Sequence, residues 1–446
     1  MSMKRNASKV MSLIFLSAII SSCARFGIAK GKDNMEVDAV NKIEEVKKEI
    51  SLNFPIKGEE VNILKPQVLK YINAMHNQAK AIENDYVLHD FYITGTAGQN
   101  YGVEYSNDTD LVRVADYCNT SINEEKSKKV ALIFDAQGFN ENTEFTVTYG
   151  LKSDLSDGKT IKTTNSYACL ENLLTRKTYY WKVSAGDVSS SIESFTTPDG
   201  FRMMTAAGIN NIRDMGGRPV YGGKHIKQGL IYRGGEMVTE SYPTDSGTHH
   251  ENLTEENIRV MREVLNIEYE IDFRGDAEAN NIVNSPLYDE NDYPNIEYLR
   301  IPAMSAYDYI FDMNASTWAG VKNMFLAFKN AEAKHVYFHC WGGADRTGTT
   351  GFLLGGLLGM SYTDLIIDFE LTSFSCNYRP HNINDAKKIY RFPSLIYKLK
   401  TVKNDSGDTY YSPDKPISTL IEEILIDKAG LTKQDITDIR NNLLED

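Results

Sequence analysis

Three things are scarce in this chain of 446 residues: cysteine, positive charge and long apolar runs. The five cysteines are Cys23, Cys118, Cys169, Cys340 and Cys376, too few and too scattered for a disulfide scaffold. Cys118 and Cys169 fall in the same middle region and are the pair an exported chain could oxidise. Otherwise Cys118, Cys169 and Cys376 read as single buried thiols, with Cys340 the exception. Lysine and arginine number 48 against 61 acidic residues, a net charge of −13. That balance argues against a general affinity for nucleic acid or anionic lipid, so any anion site must be built locally. The one long apolar run, Val10 to Ile20, is broken only by serine. It is shorter than the roughly 20 residues a membrane span needs. What remains is an ordinary globular composition, long enough for two or three domains with their own cores.

Lys4, Arg5 and Lys9 precede the apolar run, and together they have the form of a secretory signal. The run ends in Ile20-Ser21-Ser22-Cys23, which resembles a bacterial lipobox. The resemblance implies cleavage before Cys23, lipid attachment to its thiol and a membrane-anchored place in the bacterial cell envelope. An ordinary signal peptide with a chance cysteine is the alternative. Removing residues 1–22 takes away three positive charges and no negative ones, leaving −16.

The organisation reads as multidomain. Residues 23–34 are small or polar and suit a tether. Glu36 to Glu83 has helical spacing, with Val37, Val40, Ile43, Val46 and Ile50 three or four apart, and Pro66 interrupts a second such stretch. Residues 23–85 are therefore expected to be tether and helix. From 86 to 198 the pattern turns to short alternating runs, TEFTVTYGL, TYYWKVSAG and SIESFTTP, separated by polar turns and closed by Pro198 and Gly200. A β-sandwich is expected. YACLENLLTRKTYYWKVSAG (167–186) and SFTTPDG (194–200) resemble a fibronectin type III domain. Leu170, Leu173, Tyr179, Trp181 and Val183 would then fill its core, and the module would act as a spacer or as a docking surface for protein or glycan. Residues 199–446 alternate strand-like and helix-like segments, which predicts an α/β domain with a mostly parallel sheet flanked by helices. GLIYRGG, IEYEIDFRG and VYFH are the strands. Leu253–Leu265, Ser316–Ala331, Pro416–Ala429 and Leu431–Leu444 are the helices, with Thr254 as a cap and Thr432 opening a capping box.

The most informative stretch is HVYFHCWGGADRTGTTGFLLGG, residues 335–356. A buried strand runs into a glycine turn and then a helix. Gly342 and Gly343 let successive backbone N–H groups converge, and the helix adds the positive end of its dipole. Such a nest binds a tetrahedral oxyanion. Arg346 can add a forked contact to two of its oxygens. Both effects favour the thiolate form of Cys340, and a thiolate held against a phosphate is a nucleophile. Read without function, the same residues make a strand–turn–helix with a buried cysteine and a capping arginine. The histidine before Cys340, the two glycines and the Thr-Gly after Arg346 all speak for function.

HCWGGADRTG resembles the signature loop of cysteine-dependent tyrosine phosphatases, and residues 201–446 are similar to the bacterial tyrosine-phosphatase family 3 proteins. Asn211-Ile212-Arg213-Asp214-Met215-Gly216-Gly217 matches their N-x-R-D-x-G-G. Gly229 to Gly234 nearly matches G-x-x-Y-R-S, and Asp272-Phe273-Arg274-Gly275 loosely matches D-L-R-S. The resemblance implies that Cys340 attacks phosphorus. Arg346 and the backbone of Trp341, Gly342, Gly343, Ala344 and Asp345 would hold the phosphate oxygens. Thr347 would bond the sulfur as it leaves, and His339, Arg213 and Asp214 would support the loop, the last two as an ion pair. No metal or cofactor is implied. The leaving group needs a proton donor. The family pattern points to Asp272, Asp345 is the rival, and Asp308 and Asp312 are weaker candidates, while Asp276 and Glu278 read as surface charges. Tyr307, Tyr309 and Phe311 could wall the pocket or belong to the core. Ala344 stands where relatives often carry lysine, which weakens an inositol-phosphate substrate and favours a phosphorylated protein, as phosphotyrosine, or a simple aryl phosphate. The competing readings are an inositol-phosphate phosphatase and a phosphate-binding or adhesion lipoprotein without turnover.

Overall fold

The computed structural model describes residues 47–88, 112, 114–118, 124–238, 253–279, 282–375 and 391–446. Met1–Val46 form one unit and Lys47–Asp446 another. Cys23, Cys376 and the helical spacing before residue 47 lie outside the described residues. No helix among the described residues is long and apolar enough to cross a membrane.

The front of the second unit is built from two sheets. Three antiparallel strands, Glu49–Phe54, Val130–Gln137 and Tyr167–Leu170, form one. The other runs Glu59–Glu60, Glu193–Thr196, Thr178–Ala185, Phe145–Gly150 and Lys159–Thr163, with Val188–Ser189 folded back on Thr178–Ala185. Alternate side chains of a strand face one way. Val130, Leu132 and Phe134 of the first sheet therefore meet Val147, Trp181, Val183 and Phe195 of the second in one apolar core, with Leu170, Leu173 and Tyr179 beside them.

The helical expectation across Glu36–Glu83 is corrected at its middle. Ile50, Leu52 and Phe54 also alternate with period two, and cross-strand partners select that reading: Ile50 lies opposite Ala136 and Leu52 opposite Phe134. Pro66 opens a helix, Pro66–Ala79, instead of interrupting one, because the missing N–H of proline costs nothing in the first turn. Its buried face, Val68, Tyr71, Ile72 and Met75, packs into the core of the α/β region along with Val114 and Cys118. That region thus draws on chain well before residue 199. Cys118 is buried and Cys169 exposed, and no disulfide joins them, so the pairing is not made and Cys169 is no core thiol.

Residues beyond 199 form a six-stranded sheet in the order Arg202–Met203, Arg213–Asp214, Ile231–Gly234, His335–His339, Ile267–Asp272 and Glu297–Arg300. The last four strands are parallel, while the first two form a short antiparallel edge. His335–His339 lies near the middle and reads as a continuous buried run, as strands covered on both faces do. Helices Ala315–Lys329, Arg346–Leu358, Tyr362–Glu370, Ile417–Ile424 and Lys433–Leu443 contribute the surrounding core. Thr254 caps its helix, which relaxes into a π turn at Val260–Val264. Thr432 and Asp435 complete the capping box.

The front sheets and the α/β region meet through buried polar groups. Arg202 donates to the carbonyls of Asn172 and Leu173 and to Asp214 at 2.6 Å. The fully buried Glu125 carboxylate accepts from the backbone N–H of Asn211 at 2.6 Å.

Candidate active site

Cys340 to Arg346 turn between the strand His335–His339 and the helix Arg346–Leu358. Gly343 has φ of +65°, and a Cβ there would lie 2.3 Å from the Gly234 backbone, so only glycine fits. Gly234 is also closely packed, because its own Cβ would meet the Tyr337 hydroxyl at 2.5 Å. This accounts for glycine where the related motif has serine.

The direction of the loop's peptides follows from its hydrogen bonds. The carbonyl of Cys340 faces His339 Nδ1 at 3.2 Å, and that of Trp341 accepts from Glu236 N–H at 3.0 Å. Asn211 Nδ2 donates to the carbonyls of Gly342 and Gly343, and Arg233 Nη2 also donates to Gly343. Four successive carbonyls are thus held from the scaffold side. These peptides are trans, and a trans peptide sets its N–H opposite its C=O. The N–H groups of Trp341, Gly342, Gly343 and Ala344 therefore turn away from those partners, at the N-terminus of the helix Arg346–Leu358. Such an array stabilises a tetrahedral oxyanion.

Arg346 is clamped. Its Nη1 and Nη2 donate to the two carboxylate oxygens of Glu278 at 2.7 and 2.8 Å, and Nη1 also reaches the Phe273 carbonyl. Burial alone would lower the guanidinium, but the Glu278 hydrogen bonds and the charge of Cys340 hold it above its usual range. Burial likewise raises Glu278, and the Arg346 hydrogen bond overrides it downward. Glu278 is thus no surface charge but the residue that fixes the arginine, whereas Asp276 pairs with Arg300 at the surface. Thr347 is fully buried, and its hydroxyl has no hydrogen-bond partner among the described residues.

Beneath the loop, three fully buried arginines share one carboxylate. Asp368 Oδ1 accepts from Arg213 at 3.0 Å and Arg218 at 2.8 Å, and Oδ2 accepts from Arg233. Burial, then repulsion from Arg233, pushes Arg213 down to about 9 despite Asp368. Burial also lowers Arg233, with Asp368 opposing the shift. Arg213 and Asp214 do not pair with each other. Arg213 also donates to Asn211 Oδ1 and so holds the side chain that holds the loop, while Asp214 takes Arg202.

Behind Cys340 lies a second network. His339 is fully buried between the Cys340 carbonyl, which requires a proton on Nδ1, and Glu270 Oε1, 2.8 Å from Nε2. Asp272, also fully buried, accepts from the Arg274 backbone and guanidinium and from the Tyr298 hydroxyl. Burial raises its carboxyl, but the charges of His339 and Arg274 outweigh that and bring it to about 2. A carboxyl that stays ionised down to that pH and has its oxygens spent on Arg274 is unsuited to donate a proton near neutrality, which corrects the expectation for Asp272. Glu270, Asp272 and His339 have donor atoms within 4.8 Å of one another, as a cation site would. Arg274 already occupies both Asp272 oxygens, so the trio is committed to its own network.

Asp345 is half-buried at the loop's end and accepts from the Tyr307 hydroxyl. Asp308 is turned to Ser394 and Asp312 toward Lys398, so neither faces the loop through these contacts. Tyr307 and Phe311 pack against the core, and Tyr309 is exposed. Trp341 is half-buried and Ala344 buried.

Sequence reading missed Glu278, Arg233, Asp368, Glu270 and the role of Asn211. Asn211 and Arg233 stand inside recognised motifs. Glu270 was masked by the exposed Glu268 two positions earlier in the same strand, and Asp368 gave no signal.

The model of the tyrosine phosphatase family matches residues 204–445, more than half of the chain. No curated protein matches it. With the signature loop, its clamped arginine and this match together, the chain belongs to the tyrosine phosphatase family.

Proposed function

We propose that this phosphatase hydrolyses phosphate monoesters, phosphotyrosine foremost, through a phosphocysteine at Cys340. The observation that supports the reading is the set of four loop carbonyls bonded to His339, Glu236, Asn211 and Arg233, which leaves the opposing N–H groups turned away from these partners and suited to an oxyanion beside Cys340. The Cys340 thiolate attacks phosphorus and the P–O bond to the leaving group breaks. The loop N–H groups and Arg346 hold the equatorial oxygens as charge shifts. The leaving oxygen takes its proton from Asp345, the carboxyl at the loop's end, in place of Asp272. Water then attacks the phosphocysteine and gives a proton to the Asp345 carboxylate, while the sulfur leaves toward the Thr347 hydroxyl. Ala344 offers no charge to a second phosphate, which favours a monophosphorylated substrate.

The front sheets fit a fibronectin type III-like β-sandwich serving as a spacer, and a lipid on Cys23 would tether the whole to the bacterial envelope. Cys23→Ala should then move the protein from the membrane to the soluble fraction. Activity is tested by phosphate release by residues 24–446 from phosphotyrosine peptide, phosphoserine peptide and inositol hexakisphosphate, with Cys340→Ser as control. Release from phosphotyrosine alone, lost in the serine variant, is expected. Preference for the inositol phosphate would overturn the substrate class, and release from none would favour a binding protein.

A further inference from the structure

We propose that Tyr307 is the positioning residue that makes Asp345 a directed proton donor; this rests on the reading of Asp345 as the general acid. Three observations converge. Tyr307 has φ of +56°, a conformation that bulky side chains rarely adopt and that persists only where surroundings impose it. Both ends of the residue are tied to the start of the loop helix. Its N–H donates to Thr349 Oγ1 at 2.9 Å, that hydroxyl donates to the Asp345 carbonyl at 3.0 Å, and the phenol donates to Asp345 Oδ1. Its ring stands edge-on to Phe369 at 6.0 Å, and the neighbouring Asp308 accepts from Ser394, so the turn is anchored on two sides.

The third observation concerns Asp345 itself. Aspartate at the N-cap of a helix ordinarily accepts from backbone N–H groups of the first turn. Here the Asp345 side chain makes no capping hydrogen bond and bonds Tyr307. Tyrosine is the donor in this pair, so a proton carried by Asp345 belongs on Oδ2. When the P–O bond breaks, the Oδ2 proton passes to the leaving oxygen, whose electron pair takes it. Asp345 is left as a carboxylate that Tyr307 still bonds, and the phenol keeps its own proton throughout. Water returns the proton to Oδ2 in the second step.

The test is a series of aryl phosphates, from 2,4-dinitrophenyl phosphate, whose leaving group needs no proton, to phenyl phosphate and phosphotyrosine, which need one. Asp345→Asn should slow the last two steeply and the first little. Tyr307→Phe should lower kcat about tenfold on phenyl phosphate and less than about twofold on the dinitrophenyl ester, with KM unchanged. The double variant should be no slower than Asp345→Asn. Equal loss on every substrate, or no loss on any, would overturn the role of Tyr307. Absence of leaving-group dependence in Asp345→Asn would instead overturn Asp345 as the acid, whatever Tyr307→Phe does. Should Tyr307→Phe fail to fold, 3-fluorotyrosine at 307 changes only the acidity of the donor. It must then alter the phenyl phosphate rate and spare the dinitrophenyl rate, and no change in either contradicts the proposal.

Discussion

The two halves of the second unit are held together by different interiors. In the front sheets the largest fully buried side chain is Trp181, set among Val147, Val183 and Phe195. In the catalytic region four arginines, Arg213, Arg218, Arg233 and Arg274, are among the largest fully buried side chains. An apolar core tolerates changes that keep its volume and pattern, and it specifies little beyond a shape. A buried ionic network gains little stability over a well-packed apolar one, yet fails badly when one partner is removed. Here such networks hold the signature loop, so the catalytic region has placed its costly interactions where geometry matters most.

The comparison breaks first if the halves are separated. A chain beginning at residue 199 loses the helix Pro66–Ala79 from its core and both partner carbonyls of Arg202. We expect it to be insoluble or to lack a cooperative unfolding transition by circular dichroism; a folded, active fragment would show the halves to be independent. Next in size, Asp368→Asn leaves three buried guanidinium groups without their carboxylate. A loss of about 3–5 kcal/mol or more is expected in urea unfolding, with activity lost alongside it. Trp181→Ala should cost about 3–5 kcal/mol as well, but with kcat per folded molecule unchanged. A fall in kcat from that variant would mean that the sheets do more than brace.

The smallest effect has a distinctive pH signature. The folded Asp272 carboxyl sits at about 2, below the ordinary 3.8 it regains on unfolding. A lowered folded value means that ionised Asp272 stabilises the protein above pH 4 and that this stability is lost as pH falls from about 4 toward 2. The shift corresponds to about 2–3 kcal/mol. Asp272→Asn should therefore be less stable than the parent by about that much at pH 7, with the gap narrowing by pH 3 in urea titrations. A gap independent of pH would contradict the network drawn around Asp272. On aryl phosphates the variant should keep the parent's dependence on the leaving group.

What the sequence made legible divides along the same line. Apolar alternation announced Phe145–Gly150 and Thr178–Ala185, and the buried run His335–His339 announced itself as a central strand. Local chemistry also marked the caps at Thr254 and Thr432 and the glycines of the loop. Ile50, Leu52 and Phe54 were ambiguous because five residues fit either period, and only a partner strand some 80 positions on decides between them. The ionic partners were illegible for a like reason. Arg346 meets Glu278 and Arg213 meets Asp368 across 68 and 155 positions, and nothing local distinguishes those carboxylates from solvated ones. Asp272 misled because the motif placed it correctly at the strand end while Arg274, two residues on, takes its charge.

The measurement that bears most directly on the account is a rapid acid quench of residues 24–446 mixed with an aryl phosphate, followed by peptide mass spectrometry. The account predicts phosphate on Cys340 within the first turnover, absent in Cys340→Ser. Turnover with no phosphate on Cys340, or turnover by the serine variant, would contradict it.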